Sequence, residues 1–306
     1  MKTSNSPLIG GANRLTARSF LGLLFVTFLF ASPQPVGAQA KNFLWKVRSE
    51  QNSIYILGSI HFLKKENYPL AKSILEALDG SKKLVLEIDL NSASPEAAER
   101  VTLEKAVYRD GTSLRQNIGP ETYGLTEQRA KDLGVDIELM RPLKPWFVAL
   151  TLMSIKLQKI GLDSTYGVDR YLAARAKVSE KPTRGLETLE FQVGLLDQLS
   201  RRDQEMMLRE TVEELDLLDK NVDQIVRAWA AGDSQSMEKL LLAGMKEYPD
   251  LYQRIIAERN RRWLPEIEKM IAQGDGSMVV VGAAHLVGKD GVIELLKARG
   301  YTVEQM

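Results

Sequence analysis

Two patterns of apolar spacing divide this protein. At its two ends, short contiguous apolar runs rich in β-branched residues predict strands. Between them apolar residues recur every third and fourth position, the spacing of amphipathic helices. "NFLWKVRS" and "SIYILGSI", around the polar turn "EQN", predict a hairpin; "PLAKSILEALDGS" then predicts a helix and "KLVLEIDL" a third strand. Near the C-terminus "SMVVVGAAH" predicts a strand, "GVIELLKARG" a helix ended by Gly300, and "YTVEQ" a last strand. Strand, helix, strand at both ends implies an α/β (α+β) fold, with a central mixed sheet built from both chain ends and joined by crossover helices.

Roughly residues 95 to 270 carry the helical spacing, in stretches such as "PWFVALTLMSIKLQKIG", "LETLEFQVGLLDQLS" and "QEMMLRETVEELDLLDKNVDQIVRAWAAGD". "KPTRG", between two of these helices, predicts one more short strand. The expected organisation is a single domain over residues 41–306, with the helical insertion forming a cap or second lobe.

The first forty residues stand apart from the fold. Lys2, Arg14 and Arg18 precede "FLGLLFVTFLFA", and "VGAQA" follows, placing Ala38 and Ala40 where a signal peptidase requires small residues. The run is short for a bilayer span. It reads as a cleavable signal peptide over residues 1–40, cut near Ala40, which implies a periplasmic or secreted protein of a Gram-negative bacterium with no integral membrane segment in the mature protein. Removing it leaves 38 basic against 40 acidic side chains, so electrostatics gives no case for nucleic acid. The sequence has no cysteine, which excludes a thiol nucleophile, a thiolate metal site and lipid attachment through cysteine.

There are only two histidines, and both end a "GxxH" element after an apolar β-like run: "GSIH" at His61 and "GAAH" at His285. With glycine at about 7% of an average sequence, chance would give both this spacing in roughly one protein in two hundred. At the C-terminal edge of a parallel sheet, glycine permits a sharp turn, and active sites collect there. Two imidazoles brought from two strand ends into one crevice can ligate a divalent metal or act as a general base. Glu87 and Asp89 add carboxylates inside an apolar strand, and their i, i+2 spacing places them on one face.

Taken in order, "LWKVRSEQNSIYILGSIHFLKKENYPL", "LVLEIDL", "KPWF", "YGVDRYLAARA", "GLETLEFQ", "ERNRRW" and "VVVGAAHLVGKDGVIELLKARGYTV" resemble the TraB/GumN family, the group that includes the Tiki proteins. The resemblance spans residues 41 to 306. It implies a fold similar to erythromycin esterase and to a haem-binding bacterial lipoprotein. It also implies a metalloprotease that uses a divalent ion such as manganese or cobalt, with the paired histidines and a glutamate essential. By motif position His61 and His285 correspond to the two histidines and Glu87 to the glutamate, while Asp169, Glu187, Arg259 and Asn260 occupy other motif positions. Read from the residues alone, Asp169 and Glu187 are equally suited to helix N-terminal charges, Arg259 to a carboxylate partner, and Asn260 to a solvated helix position.

The expected function is therefore an exported, metal-dependent hydrolase of peptide or protein substrates. His61, His285, Glu87 and Asp89 are the candidate ligands, and manganese, cobalt and zinc all suit such a set. Glu87 or a nearby carboxylate moves the proton, Arg259 and Asn260 stabilise the oxyanion, and Asp169 and Glu187 contact substrate. Three other readings stay open: a metal-independent esterase or amidase with His61 as base, a peptide-sequestering protein, and a haem carrier.

Overall fold

The structure, a computed structural model, describes residues 41–306 apart from 93 and 243 and the side chains of 246 and 247. The expected signal peptide lies outside the described residues. Six strands form one sheet: β1 (Leu44–Arg48), β2 (Ser53–Ser59), β3 (Lys83–Ile88), β4 (Thr183–Glu187), β5 (Ser277–Gly282) and β6 (Thr302–Gln305). They lie in the order β4-β3-β5-β2-β1-β6. The β1–β2 hairpin is antiparallel, with Ser49 N–H donating to the Asn52 carbonyl across "EQN", and β6 adds antiparallel to β1. The β2–β5, β5–β3 and β3–β4 pairs are parallel. The sheet is mixed and uses both chain ends, as the apolar runs predicted.

β5 is buried along its whole length, which is why "SMVVVG" reads as a continuous apolar run and not as an alternation. Helix α1 (Lys72–Asp79) carries the crossover from β2 to β3. It buries Ile74, Ala77 and Leu78, the i, i+3, i+4 stripe of an amphipathic helix, and Gly80 caps it. Because four neighbouring strands run parallel, their C-terminal ends share one edge of the sheet, and His61, Glu87, Glu187 and His285 all lie at or just past those ends.

Between the sheet segments run α2 (Pro95–Ala106), α3 (Leu114–Asn117), α4 (Pro120–Asp132), α5 (Pro145–Lys159), α6 (Val168–Val178), α7 (Leu189–Asp197), α8 (Arg201–Glu214), α9 (Leu218–Ala230), α10 (Ser234–Leu242), α11 (Pro249–Tyr252) and α12 (Glu258–Gln273). α13 (Val292–Ala298) links β5 to β6. Leu114, Ala130, Val148, Leu152, Leu208 and Val212 belong to a second core, distinct from that of the sheet. Within the middle of the sequence α3–α5 and α8 share this second core, while α6, α9, α10 and α12 pack on the sheet, with Leu172, Trp229, Met237 and Trp263 in its core, and β4 joins the sheet edge.

Two expectations shift locally. The "GLE" of "GLETLEFQ" is strand, and α7 starts only at Leu189, where the Thr188 hydroxyl accepts the Phe191 N–H at 3.2 Å. The long run from Gln204 to Asp233 breaks at Leu215–Leu217 into α8 and α9, with Leu215 buried and Leu217 largely exposed. No glycine or proline marks that break in the sequence. Among the described residues no helix is long and apolar enough to cross a membrane.

Candidate functional site

The two histidines come together because β2 and β5 are neighbours. Ser59 pairs with Gly282 across the parallel ladder, so both strands end level and each "GxxH" element turns out of the sheet at the same edge. The glycines serve close approach. Neither has positive φ; Gly282 sits at φ −53 and ψ 138. A Cβ on Gly58 would press into the Phe43 ring at 2.7 Å and closer. A Cβ on Gly282 would lie 3.2 Å from Glu87 Oε1, 3.6 Å from His61 Nε2 and 3.7 Å from His285 Cδ2. Gly282 thus keeps open the point on which the carboxylate and both imidazoles converge.

Arg259, in the first turn of α12, ties the floor of this site together. Its Nε and Nη2 donate to Glu187, with Nη2 2.8 Å from Oε2; Nη2 also reaches Glu87 Oε2 at 2.6 Å. Its Nη1 donates to His285 Nε2 at 2.9 Å and to the Ile255 carbonyl at 3.3 Å. The guanidinium packs on the Trp263 ring, which also lies against His285. Glu87 further accepts the Gly282 N–H at 2.6 Å and the Gln192 side-chain amide at 3.0 Å.

Asn260 fixes His285. Its Oδ1 accepts from His285 Nδ1 at 2.7 Å, and its Nδ2 donates to the carbonyls of His285 and Asp290. With the proton on Nδ1, the Nε2 lone pair is the one that faces Arg259. Asn260 is fully buried. It positions an imidazole and has no amide hydrogen free for an oxyanion, and the five N–H groups of Arg259 are likewise committed. In this arrangement neither residue has an N–H free for the oxyanion role expected of it.

Protonation follows from these contacts. Burial drives the His285 pKa down, with the Arg259 charge reinforcing it and Glu87 opposing it, to about 3. At neutral pH His285 is therefore uncharged, and the cations that keep Glu87 ionised are the Arg259 guanidinium and the protonated His61. Burial works against the Glu87 carboxylate, but its neighbours His285, Arg259 and His61 and the Gly282 N–H overcome it and hold the pKa at about 2. His61 differs: its side chain is 58% exposed, and its Nδ1 lies 3.2 Å from Asp169 Oδ2. Desolvation disfavours its charge, yet the Asp169 bond and charge, with Glu87 behind them, raise its pKa to about 9.

Asp169 is placed by Gly167, where an added Cβ would strike the His61 carbonyl at 2.6 Å; the Val168 N–H meanwhile donates to the Ile60 carbonyl. The site opens into a cavity of about 370 Å³ lined by His61, Phe62, Glu87, Ser164, Asp169 and Gln192 among others.

Asp89 does not join the cluster. β3 ends at Ile88, so the alternation that would align Asp89 with Glu87 stops one residue short, and Asp89 instead accepts the Thr183 hydroxyl at 2.8 Å and the Asn91 N–H. Glu187 is held under Arg259 with its side chain 2% exposed, a support of the site floor where substrate contact was expected. Gln192, which bridges Glu87 and Glu187, ends the stretch "GLETLEFQ", but its residue type points to no role, because a glutamine on an amphipathic helix reads as surface.

The donors suit a divalent ion in kind. Among the described residues, however, no three His, Cys, Asp or Glu side chains are grouped to hold one, and Arg259 occupies the inward lone pair of His285. The cluster as arranged is not a preformed metal centre.

Comparison with known proteins agrees with the motif order. The model of the TraB/PrgY/gumN family matches residues 43–305. The uncharacterized protein YbaP of Escherichia coli (strain K12) is 26% identical over 244 residues, covering 79% of this protein and 87% of YbaP. An uncharacterized protein of Treponema pallidum (strain Nichols) is 22% identical over 275 residues, covering 83% of this protein and 80% of its own length. No solved structure matches the sequence.

Proposed function

The protein belongs to the TraB/PrgY/gumN family, and from that premise we propose that it is an exported hydrolase of amide bonds in peptide or protein substrates. The observation that carries the reading is His61: Nδ1 is bonded to Asp169, the ring is exposed, and Nε2 converges with Glu87 on Gly282 at the mouth of a cavity. An imidazole oriented by a carboxylate on one nitrogen, with the other open, is the arrangement of a general base. In hydrolysis on the alkaline side, as pH rises through about 9 and His61 loses its proton, Nε2 takes a proton from water as the water oxygen bonds to the substrate carbonyl carbon. Asp169 steadies the imidazolium, which returns the proton to the leaving amine as the C–N bond breaks. Glu87, pinned by Arg259, Gln192 and Gly282, supplies a fixed negative charge facing that imidazolium.

A second reading is favoured by the convergence on Gly282. A divalent ion taken up by His61 Nε2 and Glu87 would supply Lewis-acid polarisation and a more acidic water, and it would require His285 to exchange Arg259 for the ion. Export, with the signal over residues 1–40, is part of the proposal and is tested by the mature N-terminus of the secreted protein. The hydrolytic reading is tested by incubating residues 41–306, before and after chelation, with a peptide mixture and scoring new termini by mass spectrometry. Cleavage that survives chelation and is lost in His61→Ala supports the imidazole base. Cleavage that needs manganese, cobalt or zinc supports the metal reading, and intact peptides throughout overturn both.

A further inference from the structure

The cavity at His61 continues into a larger one. Ile88, Leu90 and Arg170 line both it and a groove of about 870 Å³ that runs between α2 and the start of α7. Together they offer more room than a small metabolite needs, and their lining reaches from His61 past Arg170 to Glu99 and Glu190. The charges at the near end are mostly committed: Asp169 to His61, Glu87 and Glu187 to Arg259, and Asp89 to Thr183.

Arg170 is the exception. It is exposed, it stands at the threshold shared by the two cavities, and among the described residues no carboxylate forms an ion pair with it. Asp163, which feels its charge, is bonded to Thr165 instead, with the Thr165 N–H at 2.7 Å. Farther along, Glu99, Arg100 and Glu190 present both signs, so the charge preference of the groove is set at its threshold. A guanidinium is a planar fork that matches a carboxylate with two parallel N–H donors.

We infer that Arg170 holds a carboxylate of the substrate, and that the groove beyond it receives an extended polypeptide whose scissile carbonyl lies against His61. The inference rests on the hydrolase reading above and adds the substrate class to it. The carboxylate is either the C-terminal carboxylate of the peptide or an aspartate or glutamate side chain, since one guanidinium recognises both.

The test uses residues 41–306 and a set of short unstructured peptides made as free acids, as C-terminal amides, and with Asp and Glu replaced by Asn and Gln. Calorimetry reads binding to the wild type and to Arg170→Gln, and mass spectrometry reads cleavage in the same samples. The wild type is expected to bind the carboxylate form at least about tenfold more tightly than its neutral counterpart, and Arg170→Gln to bind the two alike. A loss confined to C-terminal amides identifies the peptide end, and a loss confined to the Asn and Gln peptides identifies the acidic side chain. A preference that persists in Arg170→Gln, or a wild type that binds none of the peptides, overturns the inference. Arg170-dependent binding without cleavage leaves the carboxylate site standing and sinks the hydrolase; cleavage indifferent to Arg170 does the reverse.

Discussion

Replacing Arg259 by methionine keeps an unbranched apolar stem on α12 and removes the one cation shared by two carboxylates. In the structure its side chain is 8% exposed, and those of its partners Glu87 and Glu187 are 14% and 2% exposed. Deleting one member of a buried ion pair costs about 3–5 kcal/mol, because the remaining charge has no partner. Here two carboxylates are abandoned and the stacking on Trp263 is lost, which puts the expected cost near the upper end. For a domain of this size about 5 kcal/mol lowers the melting temperature by roughly 10–15 °C. The pH dependence gives the sharper check. In the wild type the Glu87 pKa is depressed to about 2 from an ordinary 4.5, so its contribution is complete above pH 4.5 and fades as pH falls toward 2. In Arg259→Met burial no longer meets the guanidinium, so Glu87 takes up a proton at higher pH than in the wild type. The deficit is therefore largest near pH 7.5 and narrows at pH 5. Paired thermal melts of the two proteins at both pH values decide it: a gap of under a few degrees at pH 7.5, or one that does not change with pH, refutes the role of Arg259 as keystone.

Three further outcomes are expected. Asp169→Asn removes the main support of the raised His61 pKa, so the alkaline rise in hydrolysis moves to lower pH and its plateau falls, which a pH–rate profile reads; an unmoved inflection assigns the base elsewhere. Gly282→Ala suits the backbone at φ −53 and adds a methyl where Glu87, His61 and His285 converge, so melting should change by no more than a few degrees while cleavage falls at least about tenfold, since a small misplacement of reacting groups is enough for that; unchanged cleavage would mean that the reacting water does not sit there. Asn260→Ala leaves the His285 Nδ1–H and the Asp290 carbonyl without their buried partner, a loss of about 1–3 kcal/mol that denaturant unfolding can measure.

Much of this site is legible in the sequence. A parallel strand buried on both faces must be written in contiguous apolar residues, so β5 announces itself, and the matched "GxxH" elements mark where two such strands end. Glu87 is legible for the same reason, as a carboxylate that an apolar strand would not carry idly. Asp89 misleads because alternation holds only while the strand lasts, and β3 ends one residue earlier. Arg259 and Asn260 are visible as motif residues, but their partners lie on β3, β4 and the "GAAH" turn, far away in sequence, and spacing carries no record of which donors are spent. Gln192 and Arg170 fall inside the stretches "GLETLEFQ" and "YGVDRYLAARA", but their residue types give no hint of a role: one looks like a polar helix face, the other like an ordinary surface cation. The glycines are visible as a pattern, and only the packing shows that Gly282 is needed for room and not for a left-handed turn.

Whether His61 is a base for amide hydrolysis is decided by peptide cleavage with chelated residues 41–306, read by mass spectrometry beside His61→Ala and with metal content measured on the same samples. New peptide termini are expected from the metal-free wild type and none from His61→Ala, with both proteins folded. Equal cleavage by the two proteins, or a folded wild type that leaves every peptide intact with or without added manganese, cobalt or zinc, would overturn that role.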